Sequence, residues 1–328
     1  MPDQPQIRSL NAGDPFAGIL LAQEAVFRTS TKGSEYLELK LSDASGDLKA
    51  FLWDVRAIEG DMAAVQADAF LWVKGAVTSY NGRLQIKLDK VRYTPDAEVG
   101  DFSRFFPVSG RPVSDMLQEL DGIIAAVADP SVRRLLAALF QGDPELRQAF
   151  SRAPAAKSMH HVYLGGLLEH TLSTLGMALR ACSHYPDLNR DLVVAGVLLH
   201  DVGKTAELSY QRSFGYTDVG NLLGHISIEA EWINREVGKI PGFPEELRLQ
   251  ILHIVLSHHG RLEFGSPVLP KTPEALLVHY LDDLDGKLEV MFRAIREENH
   301  TGAWSAYNRA LERMIYCRRW SGDESAQN

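Results

Sequence analysis

The chain has 328 residues, of which 45% are hydrophobic and 23% are charged, and its formal net charge is −9 at pH 7. This length suggests about two globular domains. The negative net charge argues against a protein whose whole surface binds nucleic acid, but it is compatible with a local basic groove. No stretch approaches the roughly 20 apolar residues of a transmembrane helix, and the first residues do not have the pattern of a signal peptide. We therefore expect a cytoplasmic protein without a membrane partner.

Residues 17–93 contain short segments in which apolar and polar positions alternate, a pattern that predicts β-strands. Turn residues separate these segments, and Asn81-Gly82 favours a two-residue hairpin. The alternation is clearest in residues 36–41, 48–53, 70–75 and 84–88. About five antiparallel strands in this length predict a small OB-type β-barrel, a fold whose strand face and loops bind oligonucleotides.

Basic and aromatic residues are interleaved in the same region. This mixture suits single-stranded RNA or DNA, because bases stack on aromatic rings while Lys and Arg follow the phosphates. The alternative is that aromatic residues such as Phe51, Phe70 and Trp72 form the barrel core, since strands are rich in aromatic residues without any ligand. The residues that we predict to contact nucleic acid are Arg28, Lys32, Tyr36, Trp53, Tyr80 and Arg83, together with Arg261 farther along the chain.

Residues 96–112 are punctuated by Pro and Gly, which predicts a linker whose phenylalanines at 102, 105 and 106 dock on a core. From Val113 onward, apolar residues recur with the helical period almost to the end of the chain. The sequence thus predicts an all-β OB-type domain over residues 1–95, a linker over 96–112 and an all-α domain over 113–328.

All eleven histidines lie C-terminal to position 159. The apolar helix predicted over residues 192–199 ends in His200-Asp201, and a buried pair of this kind needs a hydrogen bond, an ion pair or a cation. In isolation, a helix-capping His-Asp hydrogen bond would explain it. However, other predicted apolar helices supply His170, His225, His258-His259 and Asp282. Imidazole and carboxylate groups together favour Mn, Fe, Co, Ni or Zn over Ca and over an all-oxygen Mg site.

These residues resemble the H…HD…D signature of the HD-domain metal-dependent phosphohydrolases, and Val202-Gly203-Lys204 extends the match. The resemblance implies an all-α HD bundle that holds two divalent transition-metal ions, with Mn as the first choice. One ion would be held by His170, His200, Asp201 and Asp282. Asp201 would bridge to a second ion held by His225, His258 and His259.

Three residues are candidates for catalysis: the bridging Asp201, Lys204 and His161. As a compact positive charge, Lys204 would hold a non-bridging phosphate oxygen, although a lysine at a helix end is also compatible with an ordinary surface position. His161 would face the scissile phosphate or the leaving group, and the alternative is that it is only the residue at which a helix starts.

Within this superfamily, the chain is most similar to the YhaM-type 3′-5′ exoribonucleases, which join an OB domain to an HD domain. The matching text is HHVYLGGLLEHT at 160–171, SHHG at 257–260, GSPV at 265–268 and DDLD at 282–285. The resemblance implies a 3′-5′ exonuclease that acts on single-stranded RNA, leaves single-stranded DNA open as a second substrate, and releases nucleoside 5′-monophosphates. The OB domain would feed the strand to the metal site.

Two other functions stay open from the sequence. One is a nucleotide phosphohydrolase with a regulatory OB domain, and the other is a non-catalytic RNA-binding adaptor whose metal only stabilises the fold. The oligomeric state also stays open, although proteins of this kind often assemble into homo-oligomers.

Overall fold

The computed structural model describes residues 4–31, 33–100, 102–156, 163–210, 215–296 and 302–318. The chain divides into two compact units, residues 1–110 with 209–215 and residues 111–208 with 216–328. Among the described residues, no helix is long and apolar enough to cross a membrane.

The first unit is a closed five-stranded β-barrel of the OB type. Its strands are β1 (Pro15–Thr29), β2 (Glu35–Asp43), β3 (Gly46–Leu52), β5 (Phe70–Tyr80) and β6 (Arg83–Tyr93), and the two-residue β4 (Ile58–Glu59) adds to β6. The strand order is β3-β2-β1-β5-β6, and a parallel pairing of β3 with β6 closes the barrel. Alternate residues point inward, so Leu37, Leu39 and Leu41 of β2 are buried. The predicted all-β barrel is confirmed.

Two local features shape the barrel. Asn81 and Gly82 both have positive φ, 49° and 74°, between the paired residues Tyr80 and Arg83, which is the backbone that a type I′ hairpin needs. At Gly75 of β5 the register shifts, and a Cβ there would lie 2.1 Å from the carbonyl oxygen of Lys87. Only glycine allows the two strands to approach this closely.

The long strand β1 lacks a clear alternation in its first half, which is a continuous apolar run paired with β5, while its second half pairs with β2. Of the aromatic residues considered for the core, Phe70 is fully buried, whereas Phe51 and Trp72 are half-buried. Between β6 and residue 110 lie a short helix α1 (Asp96–Val99) and a 3-10 turn (Phe102–Phe105). Phe105 and Phe106 are buried, and the ring of Phe105 packs 4.8 Å from that of Phe70.

The second unit is helical, as predicted. Its helices are α2 (Val113–Ala125), α3 (Pro130–Phe140), α4 (Pro144–Arg152), α5 (Gly166–His184), α6 (Arg190–Leu199), α7 (Lys204–Glu207), α8 (Asp218–Lys239), α9 (Glu245–Ser257) and α10 (Pro273–Arg296). Side-chain caps start several of them, as Asn189 does for α6 by accepting from the backbone N–H of Leu192. A small strand pair, β7 (Leu208–Ser209) with β8 (Gly215–Tyr216), precedes α8.

Helix α6 lies at the centre of this unit. Residues 192–199 are all buried, and α6 packs against α5, α9 and α10. A Cβ at Gly196 would lie 2.6 Å from Cγ2 of Ile254 on α9, so the glycine permits unusually close packing of the two helices. This packing brings the C-terminal ends of α6 and α9 together.

Residues 302–318 differ from the helical pattern expected near the end of the chain. They contain two isolated β-bridges, Trp304 with Tyr316 and Asn308 with Arg313. Leu311 and Ile315 from this segment bury their side chains against Val290 and Ala294 of α10. Packing of these two side chains on α10 stabilises the non-helical backbone of the segment.

Candidate metal centre and barrel face

One cluster of possible metal ligands joins three helices. His170 lies on α5, His200 and Asp201 follow α6, and Asp282 lies on α10; one ligand atom from each falls within 4.8 Å of the others. Nε2 of His170 lies 3.2 Å from Oδ1 of Asp282 and 3.4 Å from Nε2 of His200. His170, His200 and Asp201 are almost fully buried.

A second cluster contains His225, His258 and His259. His225 begins the second part of α8, after a kink at Gly224, where φ is 70°. His258 and His259 directly follow α9. The described residues thus include both groups that the sequence predicted as metal ligands, and the tertiary structure assembles each group.

Asp201 lies between the two clusters. Its Oδ2 is 3.4 Å from Nε2 of His200, while its Oδ1 is 3.6 Å from Nε2 of His225 and 3.7 Å from Nε2 of His258. One carboxylate therefore faces imidazoles of both clusters, each with a different oxygen.

The histidine rings of both clusters are held in a common way, by a hydrogen bond at Nδ1. A carbonyl or carboxylate oxygen can only accept, so Nδ1 carries the hydrogen, and in the neutral ring Nε2 then has the lone pair that can bind a cation. The Nδ1 partners are Asp285 for His170, Val197 O for His200, Glu207 for His225, Val255 O for His258 and Phe264 O for His259.

Three buried atoms at the centre have no hydrogen-bond partner among the described residues: Oδ1 of Asp201, Nε2 of His225 and Nε2 of His258. Buried polar atoms without a partner are costly, and these three converge. A divalent cation would satisfy all of them, and mixed nitrogen and oxygen donors suit a transition metal. The donor set therefore fits metal binding.

The electrostatics of the first cluster also reflect its carboxylates. Burial alone would lower the pKa of His170, but Asp282 and Asp285 raise this pKa to about 9. Burial opposes ionisation of Asp201, yet Lys204 and His200 hold the pKa of this carboxyl well below its usual range. The raised pKa of His170 reflects the negative charge of the carboxylates around it, and the lowered pKa of Asp201 keeps that carboxylate ionised; this negative charge favours a cation at the cluster.

Lys204 is part of the centre and not a surface residue. Its side chain is only 12% exposed, and Nζ lies 2.7 Å from Oδ2 of Asp201. This contact excludes the alternative of a solvated lysine at a helix end. The other predicted catalytic residue besides Asp201, His161, lies outside the described residues.

Sequence reasoning did not assign the residues that support the ligands. Asp285 accepts a hydrogen bond from Nδ1 of His170 at 2.7 Å, whereas Asp282 faces Nε2 of the same ring. Glu207 accepts hydrogen bonds from both the backbone N–H and Nδ1 of His225. Nothing in its short helix signals this role.

Glu229 is a further buried carboxyl, and its Oε2 accepts from the backbone N–H of Gly203 at 3.1 Å. Burial raises the pKa of Glu229 well above its usual range. Here the sequence does contain a signal, because Glu229 lies four residues after His225 on the apolar face of α8.

Close contacts with neighbouring backbone fix the turns that carry the candidate ligands. A Cβ at Gly203 would lie 2.4 Å from the carbonyl oxygen of His225. The turn that follows His200 and Asp201 therefore packs directly on the backbone of α8. Nδ1 of His279 lies 2.9 Å from the carbonyl oxygen of His258. Nε2 of His253 accepts from the backbone N–H of Lys271. His279 thus contacts the backbone of a candidate ligand, whereas His253 contacts the loop that precedes α10.

The barrel presents a separate candidate surface. Tyr36 on β2 and Trp53 after β3 lie with ring centroids 4.9 Å apart, and the ring of Phe51 stacks 5.8 Å from Trp53. Trp53 is 53% exposed. Arg28 lies opposite Tyr36 in the β1–β2 register, so it belongs to the same surface. We call this group, Arg28, Tyr36, Phe51 and Trp53 with their neighbours Glu38 and Lys49, the barrel face.

The remaining predicted nucleic-acid contacts are dispersed. Tyr80 and Arg83 are exposed at the tip of the β5–β6 hairpin. Arg261 is exposed in the loop between α9 and α10 of the helical unit, where it pairs with Glu263 at 3.3 Å. Lys32 lies outside the described residues.

Comparison with known proteins identifies the part of the chain that holds both clusters. Residues 167–287 match the family model of the HD domain. HD domains form a superfamily of metal-dependent phosphohydrolases, so the match is consistent with an enzyme that binds divalent metal. The match begins on α5 and ends on α10, and it therefore spans all seven predicted ligands.

Solved structures with similarity to the chain include single domains. The p204 HINb domain is 13% identical over 28% of this chain and 47% of its own, with a TM-score of 0.23. A domain of replication protein A from Methanococcus maripaludis is 20% identical over 27% of this chain and 92% of its own, with a TM-score of 0.23. A replication protein A heterotrimer bound to single-stranded DNA is 16% identical over 29% of this chain and 72% of its own, with a TM-score of 0.21. At such TM-scores these similarities carry no argument about function.

Proposed function

We propose that the protein is a metal-dependent 3′-5′ exonuclease that hydrolyses phosphodiester bonds of single-stranded RNA, with single-stranded DNA as a second substrate, and releases nucleoside 5′-monophosphates. The observation that supports it most is Asp201, whose two oxygens face different histidine clusters. Two adjacent cation sites that share one carboxylate suit in-line displacement at phosphorus.

In this proposal, His170, His200, Asp201 and Asp282 hold one ion, and Asp201 bridges to the other at His225, His258 and His259. The ions would be Mn in the first place, with Fe, Co, Ni or Zn as alternatives. When bound, such a pair lowers the pKa of water toward neutrality and stabilises the charge that develops on the phosphoryl oxygens. The chain's own residues orient the ligands, exclude bulk water from the buried side and position the substrate.

Lys204 has the charge and the position to bind phosphate. It already contacts Asp201. Its compact ammonium can exchange this carboxylate for a non-bridging phosphate oxygen, which is also negatively charged. His161 is proposed to lie near the scissile phosphate or the leaving group, on the strength of the resemblance of its motif alone.

The barrel face supports a polymer substrate rather than a free nucleotide. Exposed Trp53 and its neighbours offer rings for base stacking, and Arg28 and Lys49 offer charges for phosphates. Such a surface does not require a particular sequence, because every base has a π-face. It would hold a single strand while its 3′ end is degraded.

The test is to incubate the full chain and Mn with a single-stranded oligoribonucleotide labelled at its 5′ end, with the matching oligodeoxyribonucleotide and with free nucleotides. A ladder that shortens from the 3′ end, with release of nucleoside 5′-monophosphates, is expected. Phosphate release from mononucleotides alone would instead identify a nucleotide phosphohydrolase, and binding without turnover an adaptor.

A Lys204 variant sharpens this assay. Lys204→Gln should lower kcat about 100-fold, the size of effect seen when one donor to a developing charge is removed. Its metal content should remain unchanged, because Lys204 is not a ligand. Loss of bound metal in this variant would show that Lys204 acts on the fold of the centre and not on the phosphate.

A further inference from the structure

The loop between α9 and α10 contains the proposed metal ligand His259, and a later residue of the same loop, Phe264, contacts it. Nδ1 of His259 donates to the carbonyl oxygen of Phe264 over 2.7 Å. The backbone of Phe264 therefore helps to orient the ligand, and the side chain of Phe264 starts only a few bonds from the hydrogen bond that holds His259.

The loop is a closed turn with defined geometry. The N–H groups of Phe264 and Ser266 both donate to the carbonyl oxygen of Arg261, over 3.1 and 3.2 Å. Gly260 and Gly265 have φ of 75° and 92°, a left-handed backbone that favours glycine. These contacts hold Phe264 in place relative to the metal ligands.

The side chain of Phe264 is nevertheless 57% exposed. Single exposed apolar residues are common on protein surfaces, so exposure by itself indicates nothing. Two neighbours distinguish this one. The guanidinium carbon of Arg261 lies 5.7 Å from the centroid of the Phe264 ring, and the ring belongs to the residue that binds His259. An aromatic ring, a cation and a candidate metal ligand thus lie within the six consecutive residues 259–264.

We propose that Phe264 forms a base-binding subsite, where its ring stacks on the nucleobase of the terminal nucleotide whose phosphate lies at the metal centre. The subsite rests on the proposed function and deepens it, because it names the part of the substrate that is recognised beside the phosphate. A nucleobase lies one ribose away from its phosphate, and Phe264 lies beside the centre that would bind that phosphate. Stacking on one ring accepts all four bases, so the subsite selects nucleotides over simple phosphate esters without selecting sequence.

Arg261 complements this arrangement. Its side chain is 64% exposed, and its only charged partner among the described residues is Glu263, which is also exposed. An exposed ion pair of this kind is weak, so a phosphate can displace Glu263. Arg261 is therefore available for the phosphate next along the strand while Phe264 meets the base.

The first experiment combines a protein variant with a substrate variant. Phe264→Ala and wild type are assayed with Mn on an oligoribonucleotide and on the same oligomer with an abasic ribose at its 3′ end. Loss of one aromatic–base stack is expected to lower kcat/KM by about 5- to 150-fold. Wild type should lose this factor in kcat/KM on the abasic substrate. The variant should lose it on the ordinary substrate and lose nothing further on the abasic one, as expected for two changes that remove one contact.

Two control variants separate stacking from other effects. Phe264→Tyr keeps an aromatic ring and should retain the preference for a base. Tyr185→Ala removes a similarly exposed aromatic residue, 59% exposed after the end of α5, and should behave as wild type. Metal content should be the same in all variants, because the Phe264 carbonyl that holds His259 belongs to the backbone.

The second experiment does not depend on nuclease activity. Calorimetric titration of the Mn-loaded chain with AMP and with ribose 5-phosphate should show AMP binding about 5- to 150-fold more tightly to wild type, and equal binding to Phe264→Ala. If wild type degrades no oligomer but retains this preference, the exonuclease proposal fails while the subsite stands. The subsite would be overturned by any of three results. Wild type could bind both probes equally, Phe264→Ala could lose the same affinity for both probes, or the variant could differ from wild type only in its self-association.

Discussion

Nδ1 of His170 lies 2.7 Å from Oδ2 of Asp285, while Oδ1 of the same carboxylate accepts a hydrogen bond from Oγ of Ser173. His170 and Ser173 are three residues apart on α5, and Asp285 lies on α10. The pair of contacts fixes both the rotation of the carboxylate and the tautomer of the imidazole. As a result, Nε2 of His170 faces Asp282, and in the neutral ring this atom has the lone pair that can bind a cation.

Removing the charge of Asp285 should weaken the first metal site. For Asp285→Asn we expect a loss of about 10- to 100-fold in metal affinity or activity, the usual effect of changing a residue that orients a ligand. Metal titration and kcat on an oligoribonucleotide measure it. Asp283→Asn is the matched control, because Asp283 lies on the same helix but pairs with Lys287 at the surface. Equal effects of both variants would contradict the role of Asp285.

Asp201→Asn replaces one of the two carboxylate oxygens with an amide nitrogen and removes the negative charge, so residue 201 can no longer serve both clusters. We expect activity to fall on the order of 10³-fold or more, as when one member of a catalytic unit is lost, and the content of bound metal to fall from two ions per chain. His225→Ala should remove only the ion of the second cluster. Elemental analysis of protein purified without chelator, alongside the ladder assay, gives both numbers. Full activity in Asp201→Asn would rule out the mechanism.

Two glycine substitutions should have opposite effects on the stability of the helical unit. Gly196→Ala places a methyl group 2.6 Å from Cγ2 of Ile254 and should destabilise the fold by about 1–3 kcal/mol. Gly176→Ala, in the interior of α5, meets no atom within 4 Å and should stabilise it by about 0.5–1 kcal/mol. Urea denaturation followed by helical circular dichroism compares them. An unchanged free energy of unfolding in Gly196→Ala would mean that α6 and α9 can move apart without destabilising the fold.

Trp53 should contribute to binding of single strands without affecting the metal centre. Trp53→Ala is expected to weaken affinity for an oligoribonucleotide by about 5- to 150-fold, the effect of losing one stacked ring. Fluorescence anisotropy with a labelled strand measures this, while metal content stays constant. Met62→Ala is the control, because Met62 is a similarly exposed apolar residue of the same unit outside the barrel face. Similar losses in both variants would assign the effect to the stability of the barrel.

Glu38 should oppose nucleic-acid binding. Its carboxylate pairs with Lys49 at 2.7 Å and with Arg28 at 2.5 Å, and these contacts, against a smaller opposing effect of burial, hold the pKa of Glu38 below its usual range. It is therefore charged at neutral pH. Glu38→Gln frees two cations of the barrel face, so affinity should rise roughly two- to fivefold at low salt and the gain should shrink at high salt.

Glu35→Gln is the matched control for this change, because Glu35 directly precedes Tyr36 on β2 and so points to the opposite side of the strand. Tighter binding in both variants would reflect only the change in net charge. Weaker binding in Glu38→Gln would show that Glu38 positions Arg28 and Lys49 for the strand rather than competing for them.

Turns and strands formed by residues close in sequence were predicted well, because local backbone preferences determine their conformation. The Asn81-Gly82 turn and the alternation of β2 follow from backbone preferences and from the face that each strand buries. The strand β1 was harder, since a continuous apolar run does not distinguish a strand from a helix. Residues 302–318 departed from the helical expectation because burial of Leu311 and Ile315 on α10 overrides the local pattern.

The sequence by itself determined the OB-type barrel, the helical second half and the identity of the candidate metal ligands, because periodicity and short motifs are encoded in neighbouring residues. Only the tertiary structure decided that Asp201 directs one oxygen to each cluster, that Asp285 and Glu207 hold imidazoles, and that Lys204 is inside the centre. These relationships join helices far apart along the chain. They depend on side-chain packing to within an ångström, which no spacing of residues in a sequence can specify.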